Sequence, residues 1–176
     1  MPAPVLFNPA KAKSLNAFYM NKPLPTILKA GMLAGTLDIL AAFLHFFLAT
    51  GKNPLFIFRY IASALLGPMA FSGGPEMYVA GLLLHYLVAF AFTLFFFWLY
   101  PRLNILRRNP VATGIFYGLF IWVVMNLIVV PLSRIGTFPN KVSGMLINAA
   151  ILILAIGIPL AFIARRHYRS KTIQVL

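Results

Sequence analysis

The sequence predicts an all-α integral membrane protein: a four-helix bundle with one additional short interfacial or re-entrant helix in its first external loop. Composition is the first observation behind this. Of 176 residues, 61% are hydrophobic and only 10% are charged, whereas a soluble domain carries about 25% charged residues. Lipid must therefore be the solvent for most of the surface. The second observation is four apolar runs, 27–49, 77–99, 111–131 and 143–164. Each reaches the roughly 20 residues with which an α-helix crosses about 30 Å of hydrocarbon. They lack the two-residue alternation of barrel strands.

Residues 1–26 read as a basic cytoplasmic leader. Within it "NPAKAKSLNAFYMNKPLP" interleaves Leu15, Phe18 and Tyr19 with lysines and asparagines. That pattern suits either a short interfacial helix ended by Pro23 and Pro25 or a partly disordered leader. No small-residue cleavage site follows a short apolar run, so the first long helix is expected to direct insertion. The loop after it, "TGKNPLFIFRYIASALLGPMAFSGGPE", is too apolar for a plain connector. Asn53-Pro54 has the form of an N-cap followed by proline at the first helical position, and Gly67-Pro68 supplies a stop. The intervening helix, 54–66, is expected to be about 20 Å long, too short to span. It should lie in the outer interface or dip into the membrane, with Arg59 reaching toward water. Gly73-Gly74 permits a turn before Pro75 and the second span. The third and fourth spans follow through short links, 100–110 and 132–141, and residues 165–176 form a basic tail. Pro131 and Pro159 are placed near helix ends. The aromatic run "FAFTLFFFWLY", 90–100, is expected to face lipid and the interface, with Trp98 and Tyr100 as anchors.

The net charge of +13 is distributed as a topology signal. Lys11, Lys13, Lys22 and Lys29 precede the first span, Arg102, Arg107 and Arg108 separate the second and third, and Arg165, Arg166, Arg169 and Lys171 follow the fourth. Lys52, Arg59, Arg134 and Lys141 fall on the other side. The positive-inside rule then places both termini in the cytoplasm. The basic ends are read as contacts for anionic lipid at about 1 kcal/mol each, and nucleic acid is not an expected partner. Cysteine is absent, which excludes disulfides and thiolate ligands.

Chemistry is sought among the polar residues inside the hydrocarbon. Plotted at about 100° per residue, the first span has Asp38 and His45 within about 20° of each other, on a face otherwise made of Gly31, Ala34, Gly35, Ala41 and Ala42. Gly31 and Gly35 have the small-xxx-small spacing that lets helices approach. The small face is therefore the expected packing face, with Asp38 and His45 pointing inward. The second span offers Gly81 and His85, the third Asn126, and the fourth Gly144 and Asn148 on a stripe with Leu152, Ala155 and Pro159. Counting residues at about 1.5 Å each places these polar groups between the midplane and the outer surface, with Asp38 as the floor and Glu76 at the rim. An intramembrane aspartate is costly and is by default a functional-site hypothesis. Beside a histidine it can share a proton. The alternative is that Asp38 only locks helix register.

His45 and His85 also raise axial ligation of haem b, although their expected depths differ by about 6 Å. Asp38, His45 and His85 together raise a divalent metal. Asn126 and Asn148 are read as interhelical hydrogen-bonding residues, and His167 as solvated or lipid-facing. No nucleophile-base pair, phosphate loop or paired carboxylates occur, so no enzymatic activity is expected.

The segments "AGTLDILAAFLH", "TGKNPLFIFRYIASALLG", "FSGGPE", "FTLFFFWLYP" and "VMNLIVVPLSR" resemble the recurring landmarks of a family of small uncharacterised bacterial inner-membrane proteins. The resemblance covers most of the stretch 30–134. It implies a bacterial cytoplasmic-membrane setting and a four-helix layout, and it carries no activity or site assignment. The leading functional expectation is an outward-facing polar pocket serving proton-linked transport, permeation or ligand sensing, in a homo-oligomer if transport is right. The rivals are an accessory or assembly subunit of a larger membrane complex, with purely structural polar residues, and a haem or metal protein.

Overall fold

The computed structural model describes residues 24–138 and 142–173, with side chains through Arg169. In chain order the helices are α1 (Leu24–Thr50), α2 (Phe56–Leu66), α3 (Met69–Ser72), α4 (Glu76–Leu99), a 3-10 turn (Asn104–Arg107), α5 (Pro110–Leu132) and α6 (Val142–Arg169, helical on to Ile173). Among the described residues there is no strand. The helices α1, α4, α5 and α6 are long and apolar enough to cross a membrane, so by length and composition the chain is a multi-pass membrane protein. Most of the predicted leader lies outside the described residues, and so does Lys141.

Local sequence explains most helix ends. Pro25 does not interrupt α1: it stands in the first turn, where a backbone N–H has no intrahelical partner to lose. α1 stops at Gly51, whose φ of +66° suits a residue without a Cβ. Asn53 caps a turn instead of an α-helix. Its Oδ1 accepts from Leu55 N, and the i to i+3 bonds of Phe56, Ile57 and Phe58 delay α-helical geometry until Phe56. α5 starts as an Asn-Pro pair should: Asn109 Oδ1 accepts from Val111 N and Ala112 N, with Pro110 at the first position.

Two departures from α geometry have a visible cause. Residues Met125–Val129 and Leu152–Gly157 are π-helical, and each segment ends two residues before a proline, Pro131 and Pro159. A proline inside a helix removes one hydrogen bond and presses its ring on the carbonyl four residues earlier. Widening the preceding turn relieves that clash. Pro159 therefore sits well inside α6 and not near its end.

The core lies toward the basic end. It joins Ile27, Ala30 and Ala34 of α1, Phe96 and Phe97 of α4 with Tyr100 just beyond it, Tyr117 and Ile121 of α5, and Leu152, Ala155, Ile156, Leu160, Ala161 and Ala164 of α6. The aromatic run is thus divided: Phe96, Phe97 and Tyr100 are buried while Phe95 and Trp98 are exposed. Helical periodicity turns one side of the run onto α5 and α6, where Phe96 meets Tyr117 at 4.4 Å between centroids and Tyr100 stacks on Tyr168 at 5.5 Å. Tyr117 also donates to the Phe92 carbonyl at 2.5 Å.

Candidate functional site

Glycine sets where the polar groups meet. A Cβ on Gly31 would stand 2.5 Å from the Phe90 ring, and one on Gly35 would stand 3.0 Å from the Tyr86 ring and 3.2 Å from Ala89 Cβ. The small face of α1 is therefore its packing face, and the partner is α4. Polar bonds close the same contact. Thr36 Oγ1 and Tyr86 Oη are 2.8 Å apart, and His85 Nε2 lies 2.8 Å from the Gly35 carbonyl. A carbonyl oxygen can only accept, so the proton must be on His85 Nε2.

Asp38, one turn beyond Gly35, is half-buried midway along α1. His85 acts on it through space, yet among the described residues no hydrogen bond or ion pair closes on its carboxylate. His85 Nδ1 likewise has no hydrogen bond among them. Among the described residues the Asp38 carboxylate and His85 Nδ1 are thus free of hydrogen bonds, while Nε2–H anchors the ring.

The other expected members are dispersed. His45 is half-buried two turns further along α1, toward its C-terminal end. Asn126 Nδ2 donates to the Trp122 carbonyl at 3.0 Å and to Asn148 Oδ1 at 3.2 Å, tying α5 to α6 as an interhelical bond. Glu76 is exposed, and its Oε1 accepts from Gly74 N at 2.7 Å, so its carboxylate closes the turn into α4. Among the described residues no three His, Asp or Glu side chains converge to hold a metal ion. The trio of Asp38, His45 and His85 therefore does not form a metal centre, and His45 stands seven residues, about 10 Å of helical rise, from Asp38. Bis-histidine haem ligation fits no better. Nε2 of His85 is committed to Gly35, and the close contact of Gly35 with Tyr86 and Ala89 leaves no slot for a porphyrin between α1 and α4.

Three further expectations need correction. Gly144 is exposed, with nothing within 4 Å of a Cβ placed on it; no residue of Val142–Ile151 is buried, because α6 makes its close contacts only further along. The close approach of α5 and α6 falls instead at Gly157, where a Cβ would stand 2.1 Å from the Gly114 carbonyl oxygen. Arg59 is half-exposed and does not extend freely toward water: it donates to the carbonyls of Phe71 at 2.7 Å and Gly73 at 2.9 Å, and stacks over Tyr78 at 4.8 Å. Those carbonyls end α3 and its turn and have no helical donor, so a forked guanidinium suits them. His167 also packs inward, 3.2 Å from Thr26 Oγ1 and edge-on to Phe97.

Gly81 proves the most constrained of the expected packing glycines, since a Cβ there would stand 2.0 Å from the Phe58 carbonyl oxygen. It seats α2 against α4. Phe58, buried, also meets Phe43 of α1 edge-on at 5.1 Å, so α2 packs on both α1 and α4 beyond Gly35 and Asp38, away from the basic end. Two open clefts lie elsewhere, one between α4 and α5 at Phe92, Phe95 and Phe120, the other at Phe162, Arg165 and Arg169 of α6.

No family model, curated protein or solved structure matches the chain.

Proposed function

We propose that this protein is a proton-handling membrane protein of a bacterial cytoplasmic membrane, with Asp38 and His85 as its protonation site. In this reading the four long helices form one bundle, both termini face the cytoplasm, and α2 lies at the outer interface as a cover over the site. The positive-inside asymmetry supports that orientation. The observation that carries the functional reading is the pairing across the α1–α4 contact: a mid-helix carboxylate without a hydrogen bond, facing a histidine whose ring is held by the Gly35 carbonyl. An imidazole oriented through one nitrogen can load and release a proton at the other. A carboxylate left in hydrocarbon is otherwise a cost without a return. The proton serves transport, permeation or ligand sensing, and an oligomer is the expected form for transport because four helices are few for one translocation path.

A second reading is favoured by a different observation. No residue of Met125–Leu132 or Val142–Ile151 is buried, and that outer part of α5 and α6 carries the exposed Gly144 and Asn148. Such a face suits a partner helix, as in an accessory subunit.

The chain has only two acidic side chains, so Asp38 is spectroscopically separable. In reconstituted membranes, pH-difference infrared spectra should contain a protonated-carboxyl band that persists in Glu76→Gln and vanishes in Asp38→Asn. Vesicles with a trapped pH dye should lose proton movement with the same variant. A folded Asp38→Asn protein with unchanged band and flux would falsify the assignment.

A further inference from the structure

At the basic end of α6, Phe162, Ile163, Arg165, Arg166 and Arg169 line one open cleft. Phe162, Arg165, Arg166 and Arg169 recur at helical three- and four-residue steps, so one stripe passes from ring to guanidinium within about two turns. Phe162 is 49% exposed, which leaves an apolar wall directly below the charge. The adjacent 100–110 link adds to that charge. Arg165 and Arg107 act through space on Tyr100, and Arg107 and Arg102 on Tyr168, whose ring stacks on Tyr100. Arg102 and Arg107 thus add to the positive charge of this end without lining the cleft itself. Neither acidic side chain lies at this end: Asp38 is midway along α1 and Glu76 starts α4 at the opposite end.

We infer that this cleft is a binding site for the phosphate-bearing headgroup of an anionic phospholipid. Guanidinium groups recognise phosphate oxygens by paired hydrogen bonds. A cluster of basic side chains on a helix at the end of a span attracts anionic headgroups on that basis. The apolar wall at Phe162 favours a lipid over free phosphate, because only a lipid brings an acyl chain to lie against the ring. The site goes beyond the proton-handling reading and does not depend on it.

The test is native mass spectrometry of the full chain released from bilayers of phosphatidylglycerol and phosphatidylcholine. The full chain and Arg134→Gln, altered at the opposite end, should retain phosphatidylglycerol in preference to phosphatidylcholine. Arg165→Gln/Arg169→Gln should retain at least about tenfold less. Arg169 is exposed, so Arg169→Gln alone keeps the test decisive if the double variant misfolds, and it should give a partial loss. Inorganic phosphate in excess should leave the lipid in place. Equal retention of both lipids, undiminished retention in a folded Arg169→Gln protein, or displacement by inorganic phosphate overturns the inference, the last by assigning the site to free phosphate.

Discussion

Replacing Gly157 by alanine adds one methyl group at the tightest point between α5 and α6, 2.1 Å from the Gly114 carbonyl oxygen and 3.0 Å from Gly118 N. Both obstacles are backbone, so no rotamer change can clear them. Reaching an ordinary separation of about 3.5 Å requires the helices to part by more than about 1 Å. That separation also loosens the contacts of Ile153 and Ile158, whose backbones pack on Gly118 and Gly114. Overpacking of this kind costs about 1–3 kcal/mol, and an immovable obstacle puts Gly157→Ala at the upper end. A loss of about 3 kcal/mol lowers the folding equilibrium constant on the order of a hundredfold. Gly144→Ala is the matched control: it lies on the same helix with open space around it, and alanine there gains up to about 1 kcal/mol of helix propensity. Reversible unfolding in mixed micelles, followed by circular dichroism, measures both. Equal stability of the two variants would refute the argument that backbone contact at Gly157 holds α5 to α6.

Gly81→Ala should detach α2, since the added methyl would stand 2.0 Å from the Phe58 carbonyl oxygen. Faster protease cleavage between residues 51 and 75, with the four long helices intact by circular dichroism, is the expected readout. Arg59→Gln should cost about 1.5–3 kcal/mol, the value of hydrogen bonds to a charged donor, because the carbonyls of Phe71 and Gly73 lose their fork. Hydrogen exchange should then rise across 67–75 while α5 and α6 are unaffected.

Much of the fold was legible one residue at a time because the bilayer imposes a simple rule on each segment: a long apolar run must be helical and must span. The four long apolar helices begin and end within a few residues of the apolar runs at most ends. Gly31 and Gly35 also declared their face, since small residues at four-residue spacing have little use except close approach. Asp38 was legible as exceptional because a carboxylate in hydrocarbon needs a reason.

Failures came where a residue's meaning depends on a neighbour distant in sequence. Gly144 and Gly157 look alike in the chain, yet only Gly157 lies opposite Gly114. Arg59 resembles any interfacial arginine until α3 places two carbonyls without donors in front of it. The aromatic run 90–100 is apolar on every side, so hydropathy had no means of dividing its buried members from its exposed ones.

The sequence by itself determined the helical class and the four long apolar segments, because these follow from hydration, length and backbone sterics within a few residues. Only the tertiary structure decided that His85, and not His45, stands beside Gly35 on the small face of α1. That choice depends on the rotation and depth of α4 against α1, which Gly31, Gly35, Phe90 and Tyr86 set jointly through close packing across the interface.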